Sequence, residues 1–244
     1  MKKTAFAALA LAFAASGALA QDVVRMGSEG AYPPYNFIND ATGELDGYER
    51  ELGDELCRRA ELNCEWVIND WDTIIPNLVS GNYDTIMAGM SITEARQEVI
   101  AFTQNYLLPE PSAFIALAGT DESVRDTGVI AAQSNTIQAG MVAEGDGDLL
   151  EFPTPDETIS ALRNGEADAV LADKAFLAPY VADSNGELVF LGDDVLLGGG
   201  IGVGVRQSDD ALRETLDRVI ADMKADGSLN AMIEKWFGAD HPQF

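Results

Sequence analysis

The run DTIMAGMSITEARQEVIAF, Asp84–Phe102, decides how the rest of the chain is read. From Thr85 to Met90 it is apolar, punctuated upstream by Gly81, and too short for a helix of its own. Such a segment reads as a strand buried on both faces, as in a parallel sheet covered by helices. Ser91, Thr93 and then Arg96 follow at its carboxyl end, Arg96 being the one cation in an acidic neighbourhood. Open α/β sheets place ligands beyond the carboxyl ends of their strands, so Ser91 and Arg96 stand where a ligand would. A guanidinium fork matches a carboxylate through two parallel hydrogen bonds. The same residues also fit a plainer arrangement, a surface arginine paired with a glutamate and a serine that only caps a helix.

Upstream, Val23–Met26 reads as a strand that delivers Glu29, Tyr32 and the turn at Pro33–Pro34 to its carboxyl end. NFINDATGELDG, residues 36–47, is turn-rich and reads as a hairpin-like loop closing on Gly43. Glu49–Arg59 is an amphipathic helix with Leu52, Leu56 and Cys57 on one face, and Glu65–Ile68 is a second strand. Asp72 is placed to N-cap a helix carrying Ile74, Ile75 and Leu78, with Gly81 as its C-cap. Together with the opening run, these make a βαβαβ half-sheet.

Downstream, Tyr106–Leu117 is an extended segment carrying Pro109 and Pro111, suited to a strand that leaves one domain for another. Val129–Ala132, Ala169–Ala172 and Val189–Leu191 read as strands, and Ser134–Thr136 opens a helix with good N-cap chemistry. Gly198–Gly200 precedes a strand at Ile201–Val205, and two helices fill Asp209–Phe244. IPNLVSGNYDTIMAG (Ile75–Gly89) and ISALRNGEADAVLAD (Ile159–Asp173) match at a fixed offset of 84, pairing Ile75 with Ile159, Leu78 with Leu162, Gly81 with Gly165, Asp84 with Asp168 and Ala88 with Ala172. Helix–glycine–strand units recur by chance, but five matches at one offset favour two similar lobes whose strand ends, Gly89–Ser91 and Asp173, face a common cleft.

The first 20 residues, MKKTAFAALALAFAASGALA, join two lysines to an apolar run and an Ala18–Leu19–Ala20 site, the pattern of a signal peptide cleaved near Ala20. Of the 15 Lys and Arg, two lie in this leader, leaving 13 against 41 Asp and Glu, a formal charge of −28 for the mature chain. A surface so acidic repels nucleic acid and anionic lipid. Cys57 and Cys64 are the two cysteines, and an exported chain with an even count favours a disulfide between them. With His241 as the single histidine, no Cys/His metal cluster, Ser-His-Asp triad or Cys-His pair can be assembled around the rest of the chain. No cofactor is called for.

Several stretches together resemble the periplasmic amino-acid-binding proteins of ABC importers, in the polar amino acid group. They are Gly27–Tyr35 (GSEGAYPPY), Leu45–Tyr48 (LDGY), Cys57 and Cys64, Asp70–Pro76 (DWDTIIP), Ser91–Arg96 (SITEAR) and Trp236–Gly238 (WFG). The resemblance spans essentially the whole mature sequence, and SITEAR is its most specific part. It implies an α/β fold of type II with two lobes joined by two crossing strands, lobe 1 being residues 21–108 and 201–244 and lobe 2 residues 109–200. It also implies a monomer in the periplasm that gives up its amino acid to an inner-membrane ABC permease.

Carried over residue by residue, the resemblance has Arg96 clamp the ligand α-carboxylate with backbone N–H groups around Thr136, at a helix N-terminus. Asp173, the Ser91 hydroxyl and the Gly89 carbonyl would hold the α-ammonium. Tyr32 and Trp71 would sandwich the ligand side chain, with Glu29 at its distal group. An acid beside two aromatic faces suits a guanidinium or ammonium, although Glu29 also suits a neutral amide. The chain departs from its relatives at Gly89, often Ser or Ala, at Ile137, often polar, and in Gly119–Thr127, which lacks a Leu-Lys-Gly-Lys approach to the next strand. A second function on this fold is a cyclohexadienyl or arogenate dehydratase, whose substrate is carboxylate-rich; Asp173, a counter-charge for an ammonium, argues against it.

Overall fold

In the computed structural model, which describes residues 23–244, the chain opens with β1 (Val23–Ser28) and a small antiparallel sheet of β2 (Ala31–Tyr32), β3 (Asn36–Ile38) and β4 (Leu45–Asp46). The signal peptide expected at 1–20, with its cleavage near Ala20, lies outside the described residues. Next come α1 (Tyr48–Arg59), β5 (Asn63–Ile68), α2 (Trp71–Val79), β6 (Thr85–Ile86), α3 (Glu94–Gln97) and β7 (Ala101–Leu107). β1 lies between β5 and β6 and runs parallel to both. α1 carries Glu49 and Glu51 in its first turn and Arg58 and Arg59 in its last, which complements the helix dipole at both ends. Leu52, Leu56 and Cys57 fall on its buried face.

Two local expectations are corrected here. The apolar run Thr85–Met90 is a strand only at Thr85–Ile86; Gly89 then takes φ +62°, a left-handed turn that ends the pleat, and Ser91 makes an isolated bridge to Ile201. Burial on both faces required apolar residues without requiring a strand. Asp72 is not the cap of α2; Asp70 holds that position, and the Asp72 carboxylate is turned toward residues 134 and 135.

The second half forms its own sheet. β8 (Pro111–Leu117) is followed by α4 (Val124–Thr127), β9 (Val129–Gln133), α5 (Ile137–Glu144), β10 (Asp148–Phe152), α6 (Pro155–Asn164), β11 (Ala169–Asp173), α7 (Lys174–Asp183), β12 (Leu188–Phe190) and β13 (Val195–Leu196). The sheet order is β10-β9-β11-β8-β12, with β13 also on β8. α6 is closed at both ends by its sequence: Pro155 opens it, Thr154 and Glu157 form a capping box, and Gly165 ends it at φ +74°. β14 (Ile201–Val205) returns to the first sheet between β6 and β7, and α8 (Asp210–Ala225) and α9 (Ser228–Phe237) follow. Leu216, Val219, Ile220 and Met223 line the buried stripe of α8. The chain therefore crosses between sheets twice, at 108–110 and 197–200, and the molecule has the two-lobed α/β fold of the periplasmic binding proteins.

The internal repeat has a structural counterpart. Asp84 donates its backbone N–H to the Arg25 carbonyl and accepts the Arg25 N–H on its carboxylate (2.9 Å). Asp168 does the same with Val129, its carboxylate accepting at 2.9 Å. Each aspartate thus locks the entry of its strand, β6 or β11, onto the neighbouring parallel strand; β6 ends at Ile86, short of the Gly89–Ser91 segment, and β11 ends at Asp173.

Cys57 in α1 and Cys64 in β5 form a disulfide, with Cα atoms 6.2 Å apart. Closing so short a loop stabilises by roughly 2–3 kcal/mol in the chain-entropy model. Mass spectrometry of the unreduced exported protein is expected to show the two linked, and urea melts with reductant to show that loss. Free thiols at both positions in the exported protein would contradict it.

Candidate functional site

Sheet topology brings three segments of lobe 1 to one edge of the gap between the lobes. The turn after β1 carries Glu29, and β2 carries Tyr32. Trp71 is the first residue of α2, and the irregular segment after β6 supplies Ala88, Gly89 and Ser91 before α3 presents Arg96. From lobe 2 come Gln133 at the end of β9, Thr136 and the first turn of α5, and Asp173 at the end of β11. The eight residues singled out in the sequence, Glu29, Tyr32, Trp71, Gly89, Ser91, Arg96, Thr136 and Asp173, all line one cavity between the lobes.

Arg96 is placed by local chemistry. Thr93 caps α3, its hydroxyl accepting the Arg96 N–H at 3.2 Å. The guanidinium donates to the Ser91 carbonyl at 2.9 Å and, across the gap, to the Asn135 carbonyl at 3.1 Å, and lies 5.3 Å from the centre of the Trp71 ring. Burial lowers its pKa to about 10, opposed by the Asp173 charge, so it stays a cation at neutral pH. Thr136 caps α5 by accepting the Ala139 N–H at 3.1 Å. The first-turn N–H groups of Ile137 and Gln138, which an α-helix leaves without internal partners, belong to residues lining the same cavity.

The acids are held differently. Asp173 accepts from the Tyr32 hydroxyl at 2.8 Å and from Gln138 at 3.1 Å, while its backbone N–H donates to the same hydroxyl at 3.1 Å. Burial, and then the nearby Glu110 charge, push its carboxyl up to about 7 against the pull of Tyr32 and Arg96. Glu29 is raised to about 7 mainly by burial, and Gln133 of lobe 2 donates to it at 2.6 Å. Trp71 donates to the Ser134 carbonyl at 3.0 Å, and Asp72 accepts from Ser134 at 2.5 Å and Asn135 at 2.8 Å. These bonds hold the lobes closed on one another.

Tyr32 and Trp71 both line the cavity, yet their rings have protein partners. Tyr32 stacks on Phe176 (4.6 Å) and Tyr35 (5.3 Å), and Trp71 faces Arg96. Phe176, Gln133 and Gln138 were not foreseen. A glutamine carries no chemical signature in sequence, and Phe176 sits in α7, a helix without an amphipathic stripe to announce it.

Two α/β lobes close over a cavity whose charged side chains are Glu29, Arg96 and Asp173. The sequence profile of the bacterial extracellular solute-binding proteins, family 3, matches residues 24–239, and the chain belongs to that family. It is 31% identical over 238 residues to the lysine/arginine/ornithine-binding periplasmic protein of Escherichia coli (strain K12), covering 92% of this chain and 91% of that protein. With the histidine-binding periplasmic protein of the same strain it shares 33% identity over 258 residues, 98% of each. A periplasmic His/Glu/Gln/Arg/opine family-binding protein from Silicibacter pomeroyi, crystallised in complex with lysine, is 65% identical with a TM-score of 0.87, covering 91% of this chain and all of that one (100%).

Proposed function

We propose that this protein binds a basic L-amino acid between its lobes in the periplasm and, as a monomer, delivers it to an inner-membrane ABC permease. The observation that carries the reading is the set of charged groups lining the cavity, one cation, Arg96, and two acids, Glu29 and Asp173. An amino acid with a cationic side chain has the complementary set: one carboxylate for Arg96, an α-ammonium for Asp173 and a distal cation for Glu29. The Ser91 hydroxyl and the Gly89 carbonyl complete the ammonium subsite, and the α5 N-terminus at Thr136 shares the carboxylate. Tyr32 and Trp71 bound the space for the methylene stem. The lysine complex of the Silicibacter pomeroyi relative and the names of the two Escherichia coli relatives support the same class of ligand.

Calorimetric titration against the proteinogenic amino acids and opines, beside an assay of prephenate turnover, tests it. Lysine, arginine, ornithine or histidine should bind best and prephenate should not turn over. Preference for glutamine or an acidic amino acid would overturn the ligand class, and turnover of prephenate would favour the dehydratase.

The raised carboxyls add a pH prediction. Both Glu29 and Asp173 are pushed up to about 7 in the closed cleft, so below that pH each is mostly neutral and must lose its proton to meet a cation. Affinity for lysine should therefore fall by about tenfold per pH unit for each group as pH drops below about 7, and level off above it. Glu29→Gln should remove one group from that slope and weaken lysine more than glutamine, because only the cation loses a charged partner. Lysine affinity that is flat from about pH 5 to about pH 8 would contradict the assignment.

A further inference from the structure

Glu49, in the first turn of α1, is fully buried and accepts hydrogen bonds from three separate segments. Asn36 Nδ2 donates to Oε2 at 2.6 Å, the Gly89 backbone N–H donates to Oε1 at 2.7 Å, and the Tyr106 hydroxyl donates to Oε1 as well. All three bonds converge on the carboxyl oxygens and the helix N-terminus favours the charged form, while burial pushes the Glu49 carboxyl up from its ordinary value. Asn36 has no freedom to turn, because its Oδ1 accepts the Gly30 N–H at 2.7 Å.

Of these three segments, the one through Gly89 reaches the ligand cavity. In a trans peptide the carbonyl of residue 88 points opposite to the N–H of residue 89. With that N–H held by Glu49, the Ala88 carbonyl is directed away from Glu49, and both Ala88 and Gly89 line the cavity. Gly89 is itself at φ +62°, a region glycine adopts freely, so its own backbone does little to fix the turn.

We infer that Glu49 is a positioning residue for the ammonium subsite: through the Gly89 N–H it fixes the turn whose carbonyls, with Asp173 and Ser91, recognise the α-ammonium of the ligand. This inference rests on the amino-acid-binding reading above. Glu49 touches no ligand and acts only through the backbone it holds.

Lysine and ε-aminocaproate, which is lysine without its α-ammonium, separate this role from general support of the fold. The wild-type protein should prefer lysine strongly. Glu49→Gln keeps the volume but sets an amide N–H₂ against at least one of the three donors. It should shrink the lysine preference by about ten- to hundredfold while leaving the weaker binding of ε-aminocaproate little changed. Equal loss for both ligands, or no change in their ratio, would overturn the inference.

Glu49→Asp keeps the charge but draws the carboxylate back from the Gly89 N–H, and it keeps the test decisive if Glu49→Gln does not fold. The ratio should shrink here too, and an unchanged ratio would again overturn the inference. A wild-type protein that binds neither lysine nor any other α-amino acid would instead remove the underlying reading and this inference with it.

Discussion

Replacing Arg96 with alanine is expected to weaken binding of the amino acid by about 2–5 kcal/mol, roughly 30- to several-thousand-fold, the usual cost of truncating one partner of a buried charge pair. The loss should be large because the guanidinium is already in place. The Ser91 and Asn135 carbonyls and the Trp71 ring hold it at the junction of both lobes, so the ligand carboxylate meets an ordered fork. Truncation also removes the bond to Asn135, one of the ties between the lobes, so part of the loss should appear as faster ligand release. Arg96→Lys keeps the charge but not the planar fork and should fall between wild type and alanine. Calorimetry on protein shown to be folded by circular dichroism checks this. Near-wild-type affinity in folded Arg96→Ala would remove Arg96 from the site.

Asp173→Asn should weaken lysine by a comparable factor, again about 2–5 kcal/mol, with an opposite effect on the protein alone. In the cleft, burial and Glu110 disfavour the Asp173 charge, which is why its carboxyl is raised to about 7. A neutral amide of the same shape relieves that penalty. Without ligand, Asp173→Asn is therefore expected to melt at or above the wild-type temperature, while the rise in melting temperature produced by lysine shrinks sharply. A melting temperature lowered without ligand, together with an undiminished lysine-induced rise, would mean that Asp173 supports the fold and not the ammonium.

Much of this site could be read from sequence because its residues occupy chemically distinctive positions at strand ends. Arg96 is a cation among acids just past a buried run, and the match of Ile75–Gly89 to Ile159–Asp173 marked the two segments that border the cavity, one irregular after β6 and one the end of β11. The matched pair Asp84 and Asp168 proved to make the same two backbone hydrogen bonds in each lobe. What escaped depends on tertiary placement. Nothing local shows that Trp71 turns its ring to Arg96, or that Tyr32 packs between Phe176 and Tyr35. Asp72 had the composition of a helix cap, yet the closed cleft gave it donors from the other lobe. Glu49 was hidden for a different reason: among 41 acidic residues, one that is buried with three donors looks like the others until its neighbours are seen.

The most direct measurement is a crystal structure of the protein with lysine bound. The ligand carboxylate is expected on the Arg96 guanidinium and the α5 N-terminus at Thr136, the α-ammonium on Asp173 and Ser91, and the side-chain ammonium within hydrogen-bonding distance of Glu29. Lysine bound in the reverse sense, with its side-chain ammonium on Asp173, or bound outside the cavity between the lobes, would contradict the account.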